Sequence, residues 1–177
     1  MSTEYVKPKG LNAPKANVEQ FAEDTAKKLG FNIGDSIEEF VKRMGGKLLI
    51  GSSGHGDDES GSVIASSFDD WTIYVSRHTS LTRDRFTIAH ELGHLLLHLG
   101  PIKKANPDAI MRATRWVDMD DPEQKKAEWE ANWFAAGFLM PHAEFASSYA
   151  AGGTALAASQ FGVSSQAAEI RAQSLGL

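Results

Sequence analysis

Apolar positions along the chain shift between helical and strand-like spacing. From Ala16 to Leu29, the residues Val18, Phe21, Ala22, Thr25, Ala26 and Leu29 share one helical face. Gly30 follows, in the position a left-handed helix end favours. Ser36 with Glu39 three residues on has the capping-box arrangement and predicts a short helix, Ile37–Met44, stopped by Gly45-Gly46. Lys47–Ile50, Val63–Ala65 and Trp71–Val75 are brief, apolar and β-branched, which predicts three strands, the last two joined by a turn at Asp69-Asp70. Between the first two lies Gly51–Ser62, with four glycines, four serines and three consecutive acids, a loop composition. Helical spacing returns from Leu81 to Leu99 and is expected to end at Gly100-Pro101. A mixed connection over 101–121 carries at most a helical turn at Ala109–Thr114. Asp121-Pro122-Glu123 then opens a second long helix that runs to Leu139 and stops before Pro141. The last 36 residues hold ten alanines and predict short packed helices broken at Gly152-Gly153 and Gly162.

These elements make an α+β chain: a small, mostly antiparallel sheet beside two long helices, with short helices at the C-terminus. Residues 1–15, with Pro8, Gly10 and Pro14 among lysines, read as a flexible arm, and 16–177 as a single domain. At 42% hydrophobic and 23% charged residues, the composition is that of an ordinary globular protein. No apolar run approaches the roughly 18–20 residues that span a bilayer. The polar N-terminus lacks a secretory core. With no cysteine, thiolate metal sites and thiol nucleophiles are excluded. The expectation is a cytoplasmic protein away from membranes. A net charge of −5 opposes a nucleic-acid surface.

The chemistry concentrates in Arg85–His98, within which His90-Glu91-Leu92-Gly93-His94 is an HExxH motif on a helix. Residues i and i+4 lie about 40° apart around a helix and one turn apart along it, so two imidazoles can converge on one ion. Glu91 is rotated by about 100° and borders the site. Those are the positions required by a zinc ion and by a base acting on water. The helix is apolar on nearly every side (Phe86, Ile88, Ala89, Leu92, Leu95–Leu97), and three ionisable groups buried there are costly without a partner. A cation is that partner.

Tetrahedral zinc takes a third protein ligand and leaves the fourth position open. His98 lies about 12 Å from His90 along the helix, too far to share one ion. It reads instead as a helix-end or supporting residue. The second long helix offers Glu128 and Glu130, about 200° apart, of which only one can face the ion. Glu128 shares its face with Asn132 and the small Ala131 and Ala135, which favours it; Glu130 stays as the alternative.

The stretches RFTIAHELGHLLLH and EWEANWFAAGFLMP closely resemble the ImmA/IrrE family of intracellular zinc metallopeptidases. The resemblance implies His90, His94 and Glu128 as zinc ligands and Glu91 as catalytic base. It also implies a minimal zincin (thermolysin-like) fold in which the two helices cross beneath the sheet. The expected activity is selective endoproteolysis of a regulatory protein, a helix-turn-helix repressor. The rival expectation is a zinc-bearing interaction module, an antirepressor or toxin–antitoxin partner that works by binding alone.

Three residues are candidates to stabilise the oxyanion: His78, Tyr74 and His142. An extended substrate is expected to pair with a strand edge near Ile64 or Ile73. Ala157–Ser164 has the look of a helix-turn-helix turn, yet the last 36 residues carry one arginine and no lysine. Phosphate contacts need more. Residues 142–177 are therefore expected to pack or to dock a partner, with no direct nucleic-acid contact. Gly51–Gly56 lacks the ending of a phosphate-binding loop. Trp71, Trp116, Trp129 and Trp133 read as core or interface.

Overall fold

The protein is described by a computed structural model covering residues 5–51, 62–75, 80–114, 117–118 and 120–177. Among these residues the elements run in the order β1 (Tyr5–Val6), α1 (Lys15–Leu29), α2 (Ile37–Arg43), β2 (Lys47–Ile50), β3 (Ser62–Ser67), β4 (Asp70–Val75), α3 (Leu81–Ala105), β5 (Ile110–Ala113), α4 (Pro122–Leu139), α5 (His142–Phe161) and α6 (Ser165–Leu175). The α+β class is as expected. Caps set several of the boundaries. Gly30 takes a left-handed conformation behind α1, and Ser36 accepts the Glu39 N–H ahead of α2. Asp121 accepts the N–H groups of Glu123 and Gln124 ahead of α4.

The sheet differs from the expectation. Among the described residues it has five strands in the order β1-β5-β3-β4-β2 and is mixed: β3 pairs antiparallel with β4 and β5, whereas β2–β4 and β1–β5 are parallel. The parallel pairs arise because β2 and β1 enter from the same end as the strands they join, through long intervening segments. Within 109–114, where a helical turn was expected, Ile110–Ala113 form β5. Met111 and Ala113 point into the core while Ile110 and Arg112 stay half-buried, and this alternation settles a run too short to be told from helix in sequence. Among the described residues, β3 and β4 are paired on both sides, so Ile64 and Ile73 offer no free edge; the outer edges belong to β1 and β2.

Trp71, Ile73, Val75, Val63 and Ala65 turn one face of the sheet onto the buried side of α3. The helix continues past Gly100 through Pro101 to Ala105. Proline removes one backbone donor, but Ile102 packs against the core and Lys103 donates to the Ala109 carbonyl at 3.0 Å, holding the extra turn. Helix α4 crosses α3 closely at Gly93, where an added Cβ would stand 3.1 Å from the Ala131 Cα and carbonyl oxygen. On its other side α4 meets α1 at Gly137, whose absent Cβ would lie 2.7 Å from the Glu19 carbonyl oxygen.

Within residues 1–15, read as a flexible arm, Tyr5 and Val6 pair with Ile110 and Met111, and Gly10 donates to the Glu123 carbonyl at 2.9 Å. The breaks expected near the C-terminus are present. Gly153 (φ 64°) kinks α5 and Gly162 (φ 65°) ends it. Two buried arginines tie these helices down. Arg171 donates to the Met140 carbonyl at 3.1 Å and to Glu19 at 2.8 Å, and Arg85 Nε donates to the Phe161 carbonyl at 3.2 Å. Most of the loop 51–62, together with His78 and Trp116, lies outside the described residues.

Candidate metal centre

The close crossing at Gly93 brings three side chains to one point. His90 and His94 stand one turn apart on α3, and Glu128 approaches from the first half of α4. His90 Nε2 lies 3.2 Å from Glu128 Oε2, His94 Nε2 lies 3.1 Å from Glu128 Oε1, and the two Nε2 atoms are 3.1 Å apart. In a tetrahedron with metal–ligand bonds near 2.0–2.1 Å, ligand atoms are about 3.3 Å from one another. The spacing therefore fits a small cation held by these three groups. His94 is buried, and His90 and Glu128 are partly so.

The outer nitrogens of both rings are engaged. His90 Nδ1 lies 2.9 Å from Asn132 Oδ1, and because an amide oxygen only accepts, Nδ1 carries the hydrogen. His94 Nδ1 lies 3.2 Å from His98 Nδ1. The two Nε2 atoms and the Glu128 carboxylate thus face one another, and a positive charge among them, a proton or a metal ion, is what holds them together. The electrostatics of the three side chains carry the same signature. Burial disfavours charge on His90, but hydrogen bonding to Glu128 and the nearby Glu91 overcome it and raise the ring above its usual value. Burial likewise opposes charge on Glu128, yet the bonds to His90 and His94 hold it well below the usual carboxylate range. Burial pushes His94 down to about 4, so it stays neutral and available as a ligand.

Glu91 is buried on α3 next to His90. Glu130, the alternative ligand, points elsewhere: its Oε2 is 3.0 Å from His98 Nε2, and its two oxygens accept the N–H groups of Leu11 and Ala13. Asn132 supports His90, as its place beside Glu128 suggested. The tie from Glu130 to the N-terminal segment carried no sequence signal, because its partners are more than a hundred residues away. Of the oxyanion candidates, Tyr74 is half-buried on β4, on the sheet face turned away from α3. His142 begins α5, beyond an α4 that runs about 16 Å from Glu128 to its end, and is not brought to the site. A groove of about 840 Å³ opens beside Asn132, floored by Phe86, Trp133, Ala136 and Met140 and flanked by Trp129.

No curated protein matches the chain. Among solved structures, a Mycobacterium tuberculosis transcriptional regulator is similar in fold, with a TM-score of 0.58 and 20% sequence identity. The similarity covers 88% of this chain and 46% of that one, so the chain spans less than half the length of that protein. The IrrE N-terminal-like domain, a peptidase family, matches residues 50–173. Since that match runs from the end of β2 into α6 and takes in every side chain of the metal group, the chain belongs to the family of IrrE N-terminal-like domains.

Proposed function

We propose that the protein is a zinc-dependent endopeptidase that cuts a regulatory protein selectively, with a helix-turn-helix repressor as its substrate. The observation that carries this reading is the convergence of His90 Nε2, His94 Nε2 and a Glu128 carboxylate within 3.2 Å of one another, beside a buried Glu91. The crossing of α3 and α4 beneath the sheet suits a minimal zincin arrangement, with residues 16–177 acting as one unit. Bound there, zinc would polarise the scissile carbonyl and lower the pKa of water to about 7.

The remaining work falls to the chain's own side chains. His90, His94 and Glu128 fix the site's shape, and the hydrogen bonds at Asn132 and His98 hold each ring with Nε2 inward. Glu91 takes a proton from the attacking water and returns it to the departing amine. The groove beside Asn132, with its aromatic floor, accepts a side chain of the bound segment. Among the described residues, no helix is long and apolar enough to cross a membrane.

The test compares new protein N-termini in cells expressing the wild type with those in cells expressing Glu91→Gln. Wild type should generate one or a few cuts at an exposed linker of a repressor, all absent with Glu91→Gln. Loss of repression that persists with Glu91→Gln, with no new terminus, would favour the binding-module reading.

A further inference from the structure

The support of His94 extends well beyond its neighbour. With a metal ion on its Nε2, His94 would carry its hydrogen on Nδ1 and donate it to His98 Nδ1, 3.2 Å away. His98 then bears its own hydrogen on Nε2 and donates it to Glu130 Oε2 at 3.0 Å. Glu130 also accepts the Leu11 N–H at Oε2 (2.9 Å) and the Ala13 N–H at Oε1 (3.2 Å). Every donor in this chain has one direction, and His98 and Glu130 are each 1% exposed, so water does not compete.

The far end is a built cradle. Asn12 adopts φ 57°, and N–H groups flanking a left-handed residue converge on an anion. Asparagine tolerates that conformation better than most side chains. The segment lies flush on α4 because Gly10 has no Cβ; one added there would meet the Lys126 Cβ at 2.4 Å. Lys126 Nζ further donates to Asn12 Oδ1 at 2.6 Å. A buried imidazole–carboxylate pair is a poor way to gain stability, since apolar packing of equal volume does as well. What this pair supplies is orientation.

We propose that residues 10–13, Glu130 and His98 form a positioning device for the metal ligand His94. The backbone cradle aims Glu130, Glu130 fixes the tautomer of His98, and His98 fixes the ring of His94. The two imidazole ligands thus differ in backing: a neutral amide behind His90, a carboxylate-backed imidazole behind His94. This inference rests on the metal reading proposed above.

The experiment measures zinc affinity by chelator competition and the visible spectrum of the cobalt(II)-loaded full chain, with folding followed by circular dichroism. Glu130→Gln puts an amide donor in the cradle or against His98; it should lower zinc affinity about 10- to 100-fold and shift the cobalt bands while the chain stays folded. On the exposed segment, Asn12→Val should weaken zinc binding, whereas Asn12→Gly, which keeps the left-handed turn, should not. A folded Glu130→Gln variant with wild-type affinity and spectrum overturns the proposal. If Glu130→Gln does not fold, equal zinc affinities for Asn12→Val and Asn12→Gly overturn it. A wild type that binds neither zinc nor cobalt sinks the metal reading itself, and this inference with it.

Discussion

Gly93 and Ala131 are packed so closely that a Cβ on Gly93 would stand 3.1 Å from both the Ala131 Cα and its carbonyl oxygen. Gly93 lies between the two histidines, so this contact sets how near Glu128 comes to them. Gly93→Ala must move one helix by a few tenths of an ångström, and overpacking of this kind costs about 1–3 kcal/mol. Thermal unfolding with chelator present should show a lower midpoint, and zinc competition a weaker site. An unchanged value in both would show that the crossing is not what sets the site.

The two glutamates of α4 should separate by stoichiometry. Glu128 supplies a carboxylate to the site, whereas Glu130 acts at a distance through His98. Glu128→Ala should lose stoichiometric zinc even at saturating metal, while Glu130→Gln should still fill to one zinc per chain at high concentration. Elemental analysis after gel filtration decides it, and the reverse order would move the third ligand to Glu130.

Zinc affinity should fall with pH in a particular window. Metal and proton compete for the same Nε2, and His90 in the ion-free site holds its proton to a higher pH than an ordinary histidine. Below that raised value each bound zinc must displace the proton, so affinity should drop about tenfold per pH unit. His94, pushed down to about 4, adds no such dependence near neutrality. Affinity that stayed constant between about pH 5 and pH 8 would contradict this account.

The C-terminal helices should not bind DNA unaided. Arg171 is the only Lys or Arg in the last 36 residues; it is 2% exposed and committed to Glu19 and the Met140 carbonyl. It therefore cannot contact a phosphate without giving up its bonds to Glu19 and the Met140 carbonyl. Breaking such a buried pair costs about 3–5 kcal/mol, so Arg171→Ala should destabilise the fold strongly. A mobility-shift titration of the pure protein at physiological salt should show no specific complex, and sub-micromolar sequence-specific binding would refute the assignment.

Much of the candidate site was legible because its geometry is local. His90 and His94 need only the helical repeat to converge, and Glu128 is singled out by the Asn132 and small alanines on its own face. The device behind His94 was not legible, since Glu130 meets the N–H groups of Leu11 and Ala13 across more than a hundred residues. In the sheet, β3 and β4 carry enough alternation to be read, but β1 has two residues and β5 four, too few to show a period. The persistence of α3 beyond Pro101 likewise depended on a distant anchor, the Ala109 carbonyl that receives Lys103.

We propose that His90, His94 and Glu128 hold one catalytic zinc beside a base, Glu91, that is not itself a ligand. Zinc content per chain, measured on protein dialysed against excess zinc and then desalted, tests it most directly across four proteins. Wild type and Glu91→Gln should each retain one zinc, while His90→Ala and Glu128→Ala should retain almost none. Stoichiometric zinc in either of the last two, or its loss from a folded Glu91→Gln, would contradict the account.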